Sequence, residues 1–144
     1  MSELTCKQRI GKELKNEIET LKALWETYKS DPEANHPDYG NFNDHGLSFD
    51  YVAPNTFKGQ RRGYFRYQIS WGGPSDEFRF YAEGRGYRWT IDRIEYVFMD
   101  WYDGAKRTLT GEDLALLTEI FHDFSECGTC EAVYAAAIDE SPEL

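Results

Sequence analysis

The sequence predicts an α+β fold: an N-terminal helix, a four-stranded, mainly antiparallel meander sheet, and two C-terminal helices packed on that sheet. Three observations carry this reading. Residues 62–102 alternate apolar and polar side chains, are crowded with aromatics and are broken by Gly-containing turns, as antiparallel strands are. Residues 9–29 repeat apolar side chains at three- and four-residue spacing, and residues 114–124 do the same, as amphipathic helices do. A chain of 144 residues fits one ordinary domain, 1–144, able to bury a core without metals or disulfides.

The first helix rests on Ile10, Leu14, Ile18, Leu21, Trp25 and Tyr28, with Leu24 widening the stripe and Lys and Glu filling the solvated face. It ends by Ser30-Asp31-Pro32, because proline restricts the residue before it and donates no helical hydrogen bond. Residues 31–46 then read as a loop punctuated by Pro32, Pro37, Gly40 and Gly46. A structureless run of that length is often functional.

Leu47 to Val52 reads as the first strand, with Leu47, Phe49 and Tyr51 on one face and Ser48 and Asp50 on the other. Residues 53–61 form a loop that ends in a basic cluster, Lys58, Arg61 and Arg62. The second strand places Phe65, Tyr67, Ile69 and Trp71 inward and Tyr64, Arg66, Gln68 and Ser70 outward. A turn at residues 72–75 leads to a third strand, Glu77 to Ala82, with Phe78 and Phe80 inward. After a turn at residues 83–86, the fourth strand runs from Tyr87 to Trp101. Its apolar phase switches from Trp89 and Ile91 to Ile94, Tyr96 and Phe98. That switch implies a bulge near Asp92-Arg93, or a strand buried on both faces, which Val97, Met99 and Trp101 would suit. Asp103-Gly104 is read as the closing turn. Thr110 caps the next helix, with Asp113 in the capping-box position and Leu114, Leu117, Phe121 and Phe124 as its stripe. Ser125 to Thr129 breaks it, and Ala132, Val133, Ala136 and Ala137 mark a short last helix ending at Ser141-Pro142.

Charge is distributed unevenly. The chain carries a formal -10, yet beyond Arg107 it holds nine acids and no Lys or Arg. Glu112 and Asp113 sit where a helix N-terminus favours them, while Glu119, Asp123 and Glu126 share one helical face and repel mildly. The acidic balance disfavours direct binding to nucleic acid or anionic membranes and favours a cationic partner. The polar N-terminus, three cysteines and lack of a membrane-length apolar run make a reducing, cytoplasmic location the expectation.

Signals for chemistry are thin. Cys127-Gly128-Thr129-Cys130 has knuckle or redox spacing, but no second pair supports it; Cys6 and His122 would have to come from afar. Reduced thiols are the simpler reading, and neither metal nor cofactor is expected. His36 and His45, beside Asp38 and Asp44, offer acid-base groups without a nucleophile. No phosphate-binding glycine loop is present, because Gly84 and Gly86 lack the lysine and the strand-to-helix context. The sheet arginines, including Arg66 and Arg79 near Tyr64 and Tyr81, oppose the acidic end in sign, so homodimerisation between the two surfaces is a further expectation.

These observations lead to an acidic protein-binding or inhibitor module. Its expected contact residues are Glu112, Asp113, Glu119, Asp123, Glu126 and Glu131, with Asp44 and Asp50. The expected partner is a basic protein, such as a nucleic-acid-binding protein or defence nuclease, met by carboxylates standing in for phosphates. Acidic inhibitors of phage or plasmid type share this general character. The alternatives are a small hydrolytic enzyme using the His36–His45 loop, and a structural subunit of a larger complex.

Overall fold

The computed structural model describes residues 4–140. The elements run α1 (Cys6–Ser30), α2 (Phe42–His45), β1 (Ser48–Val52), β2 (Tyr64–Ser70), β3 (Ser75–Arg85), β4 (Arg88–Asp100), β5 (Asp103–Thr108), α3 (Gly111–Glu126) and α4 (Thr129–Glu140). The strands form one sheet in the order β1-β2-β3-β4-β5, each antiparallel to its neighbour. The meander therefore has five strands, correcting the expected four. Asp103-Gly104 does not close the sheet: the chain turns at Trp101-Tyr102, and Asp103–Thr108 pairs back along β4. This strand is invisible to apolar periodicity because it is an edge strand. Only Ala105 in it packs against the core, and Lys106 and Arg107 are the kind of charges that keep an edge from pairing further.

One face of the sheet carries the main core. Phe65, Phe78, Phe80, Ile94 and Tyr96 are fully buried beneath Leu21 and Leu24 of α1 and Leu117, Ile120 and Phe121 of α3. Phe121 is the hub, with its ring 5.0 Å from Phe80 and 5.5 Å from Phe65. Each such side chain contributes about 2 kcal/mol on burial.

The phase switch in β4 is resolved by a bulge. Tyr81 pairs with Arg93 and Ala82 with Ile91, so Asp92 is the extra residue. That single insertion keeps Trp89 and Ile91 on the same face as Ile94, Tyr96 and Phe98. The other expectation holds in part: Ile94 to Phe98 are buried on both faces of β4, Glu95 and Val97 included, but the burial stops short of Trp101, which lies in the turn and is 87% exposed. Gly84 sits opposite Trp89 with φ +151, and a Cβ there would overlap the Arg88 carbonyl, so glycine is required for the strands to close.

α1 begins earlier than its apolar stripe. Thr5 and Gln8 form a reciprocal capping box: Gln8 N donates to Thr5 Oγ1 at 3.2 Å, and Thr5 N donates to Gln8 Oε1 at 2.8 Å. The long 31–46 loop is more ordered than expected. His36 and Gly40 exchange backbone hydrogen bonds, and α2 inserts Phe42 beside Trp25 and Tyr28. α3 starts after Thr110 as expected, but the Thr110 side chain makes no capping hydrogen bond. Gly111, at φ +57, turns the backbone away from the geometry a capping box needs. The expected stop at Ser141-Pro142 lies outside the described residues. No helix among the described residues is long and apolar enough to cross a membrane.

Candidate functional site

α1 and α3 pack side by side over the sheet and leave a groove of about 440 Å³ between their outer surfaces. Its floor is apolar, built from Ile18, Trp25 and Leu116. Its rim is acidic: Glu19 and Glu26 come from α1, and Glu112, Asp113 and Glu119 from α3, against Lys22 and Lys29. The amphipathic helices place the carboxylates there, because residues flanking a buried stripe must lie at the edge between core and solvent.

Glu119 accepts a 2.9 Å ion pair from Lys29 across the groove. Lys29, and then the Trp25 indole N–H, hold the Glu119 carboxyl below its ordinary range. Trp25 is buried and its Nε1 makes no hydrogen bond of normal geometry, so the floor of the groove carries an underused donor. Farther along α3, partial burial and the nearby Glu126 push the Asp123 carboxyl up.

The eight acids expected to contact a partner divide into two groups. Glu112, Asp113 and Glu126 make no hydrogen bond or ion pair among the described residues and stand with Asp123 on α3; Asp44 is exposed on α2. The other three are engaged internally. Glu119 has Lys29, and Glu131 accepts the Gly86 backbone N–H at 2.9 Å. Asp50 lies on the opposite face of the sheet, where Arg66 donates to both its oxygens at 3.0 and 2.7 Å. In return the fold adds Glu19 and Glu26, which sequence reasoning treated as solvated helix surface. Only the α1–α3 pairing brings them into register with Glu112 and Asp113.

An aromatic tip is a second feature that parity missed. Trp71 and Trp101, expected on strand faces, instead sit in the β2–β3 and β4–β5 turns, 75% and 87% exposed, with Tyr102 wholly exposed beside them. The two turns adjoin, since a Cβ on Gly73 would lie 3.9 Å from Asp100 Oδ1. The start of α1 reaches the same end of the sheet: Cys6 N donates to Asp103 Oδ2 at 2.7 Å, and Arg9 pairs with Asp100 at 2.5 Å. Exposed Trp and Tyr are the residues that dominate protein-contact energetics.

The two histidines of the 31–46 loop do not converge. His36 stacks on Tyr39 and accepts the Asp38 backbone N–H, whereas His45 pairs with Glu17 on α1 at 2.6 Å. The cysteines also stand apart in environment. Cys130 is buried, which pushes its thiol up to about 12, and Cys127 is raised by desolvation and then by Asp123 and Glu126. Both shifts disfavour the reactive thiolate. Among the described residues no group of three or more His, Cys, Asp or Glu is placed to hold a metal ion.

Comparison with protein-family models, curated proteins and solved structures finds no match for this chain.

Proposed function

We propose that the protein is an acidic binding module that docks the α1–α3 surface onto a basic partner protein. The observation that carries this reading is the groove itself, with five carboxylates around an apolar floor that holds Trp25. Such a surface suits a cationic amphipathic segment: lysines or arginines meet the rim while an apolar side chain enters the floor. A nucleic-acid-binding protein presents surfaces of this kind, and the α3 carboxylates would take the place of phosphates. Inhibition of a defence nuclease is the biological form this reading would take. The exposed aromatic tip, at the start of α1, is a second surface of a composition suited to a protein partner.

The test is affinity capture at low ionic strength with the natural protein and with a triple variant, Glu112→Lys, Asp113→Lys and Glu126→Lys. All three positions lie on the solvent side of α3 and make no ion pair, so the fold is expected to be kept. The reading expects one basic partner that salt releases, that nucleic acid competes away, and that the variant binds roughly tenfold or more weakly. Equal capture by the variant would refute it.

A further inference from the structure

The opposite face of the sheet is covered by arginine rather than by a helix. Tyr64, Tyr81 and Val52 form a small separate apolar cluster there. The Arg79 guanidinium lies 4.8 Å from the Tyr64 ring centre, and Arg93 and Arg62 lie 4.2 and 5.5 Å from that of Tyr81. The β1–β2 loop, residues 53–63, borders this layer and completes an open groove of about 490 Å³. Six cations line it: Lys58, Arg61, Arg62, Arg79, Arg93 and Lys106.

We propose that this groove binds a small anion bearing adjacent phosphate groups, of the pyrophosphate or nucleoside di- and triphosphate kind. Three of the six cations have carboxylate partners: Arg62 with Asp92 at 2.5 Å, Arg79 with Glu77 at 2.7 Å, and Arg93 with Glu95 at 3.7 Å. Lys58, Arg61 and Lys106 have none among the described residues. The groove thus holds a surplus of three positive charges inside a chain of formal charge -10.

A second observation is independent of charge. Arg62 Nη2 is shielded from solvent and has no hydrogen-bond acceptor, an uncommon condition for a buried guanidinium N–H. The Arg62 side chain as a whole is 38% exposed, so a turn of its head group towards the groove would bring that N–H to a ligand oxygen.

The donors are also held in place before any ligand arrives. Gln60 Oε1 accepts from Thr56 N at 2.9 Å and Phe57 N at 3.1 Å, while its Nε2 donates to Ala53 O at 3.1 Å and Arg62 O at 2.8 Å. One side chain thereby ties the loop that carries Lys58 and Arg61. Contact with the tyrosine rings and with Asp92, Glu77 and Glu95 holds the guanidinium groups of Arg62, Arg79 and Arg93 in place, leaving the N–H groups that those carboxylates do not take for a ligand's oxygens. Preorganisation of this sort lowers the entropy cost of binding.

Size and net charge decide between a small anion and a long one. The volume falls in the range of small-molecule sites, roughly 300–1,000 Å³. A nucleic-acid strand would cross the whole negative field of the chain, whereas a small anion feels mainly charges within a Debye length, about 8–10 Å. The half-exposed Phe57 at the rim provides a flat apolar surface for a base, should the phosphates belong to a nucleotide.

This inference concerns the face away from the α1–α3 groove and stands or falls separately from the protein-docking reading. Calorimetric titration of the full chain at low salt tests it with pyrophosphate, adenosine triphosphate, adenosine and a single-stranded oligonucleotide, alongside sedimentation of the unliganded protein. Pyrophosphate or the triphosphate is expected to bind and adenosine not to; the ratio of the first two identifies inorganic or nucleotide phosphate as the source. The exposed pair Arg61→Glu and Lys106→Glu should lower that affinity at least about tenfold with an unchanged thermal melt. Glu112→Lys should leave it unaltered. Absence of binding by both phosphates, equal binding by the Arg61→Glu and Lys106→Glu variant, or tighter binding of the oligonucleotide would overturn the proposal. So would a dimer that this variant dissolves while phosphates fail to bind, which would give the groove to the acidic helices of a second copy.

Discussion

Glu17 and His45 illustrate how a single contact reassigns a residue. His45 is the loop histidine that chemistry alone would nominate as an acid or base, and the fold turns it inward onto a partly buried carboxylate. The hydrogen bond that His45 donates to the Glu17 carboxylate raises the His45 pKa above its ordinary 6.5, against the opposing effect of burial. Desolvation raises Glu17 above 4.5, with His45 opposing. Both shifts leave the folded state holding more protons than the unfolded chain, so this pair's contribution falls as pH rises. For His45 the contribution is fully present below about 6.5 and is lost as pH climbs through the raised folded value. Denaturant midpoints at pH 5.5, 6.5 and 8 should show this decline in the natural protein, and His45→Gln should flatten it. An unchanged slope in the variant would mean that another group sets the dependence. Nearby, Asp76 is buried but accepts hydrogen bonds from Tyr96 and Ser70 at 2.5 Å each, so it needs no cation.

At the scale of elements, the α3–α4 junction is fastened to the β3–β4 turn by two polar contacts. Ser125 Oγ donates to the Tyr87 carbonyl at 2.9 Å, and Glu131 accepts from Gly86 N at the same distance. Glu131, which looks from the sequence like one more surface acid, thus has a partner within the fold. Glu131→Ala should speed hydrogen exchange of the Gly86 amide by roughly tenfold, equivalent to about 1.4 kcal/mol, and leave the core amides of β4 protected. Exchange unchanged at Gly86 would show that the turn holds itself. Element boundaries were legible where two signals coincided: the apolar stripe and proline stop of α1, and the break between α3 and α4. They were illegible in β5, where a charged edge strand buries one alanine and leaves no alternation to read.

Across the whole molecule, the sheet separates two surfaces of opposite sign. Helical carboxylates and an apolar groove lie on one side, and arginines stacked on tyrosine on the other. Substitutions on separate faces with no shared partner should act independently. Charge reversal at Glu112, Asp113 and Glu126 is therefore expected to change protein capture without changing phosphate titration. Arg61→Glu with Lys106→Glu should do the converse. Combining both sets should reproduce the sum of the separate free-energy changes, and departure from additivity would reveal coupling through the sheet.

Local pattern by itself determined the α+β class, the course of the main helices, the change of apolar phase near Asp92 and the acidic character of the C-terminal third. Each is written in consecutive residues, as periodicity, phase or charge count. Tertiary packing decided what no such pattern contains: that Glu19 and Glu26 join Glu112 and Asp113 around one groove, and that Asp50 and Glu131 are spent on internal partners. It also decided that Trp71 and Trp101 stand in solvent and that six cations from a loop and three strands surround one cavity. The physical reason is the same throughout. Burial and periodicity are properties of an element, whereas a site is a meeting of side chains from several elements, and only the packed sheet and helices set which of them meet.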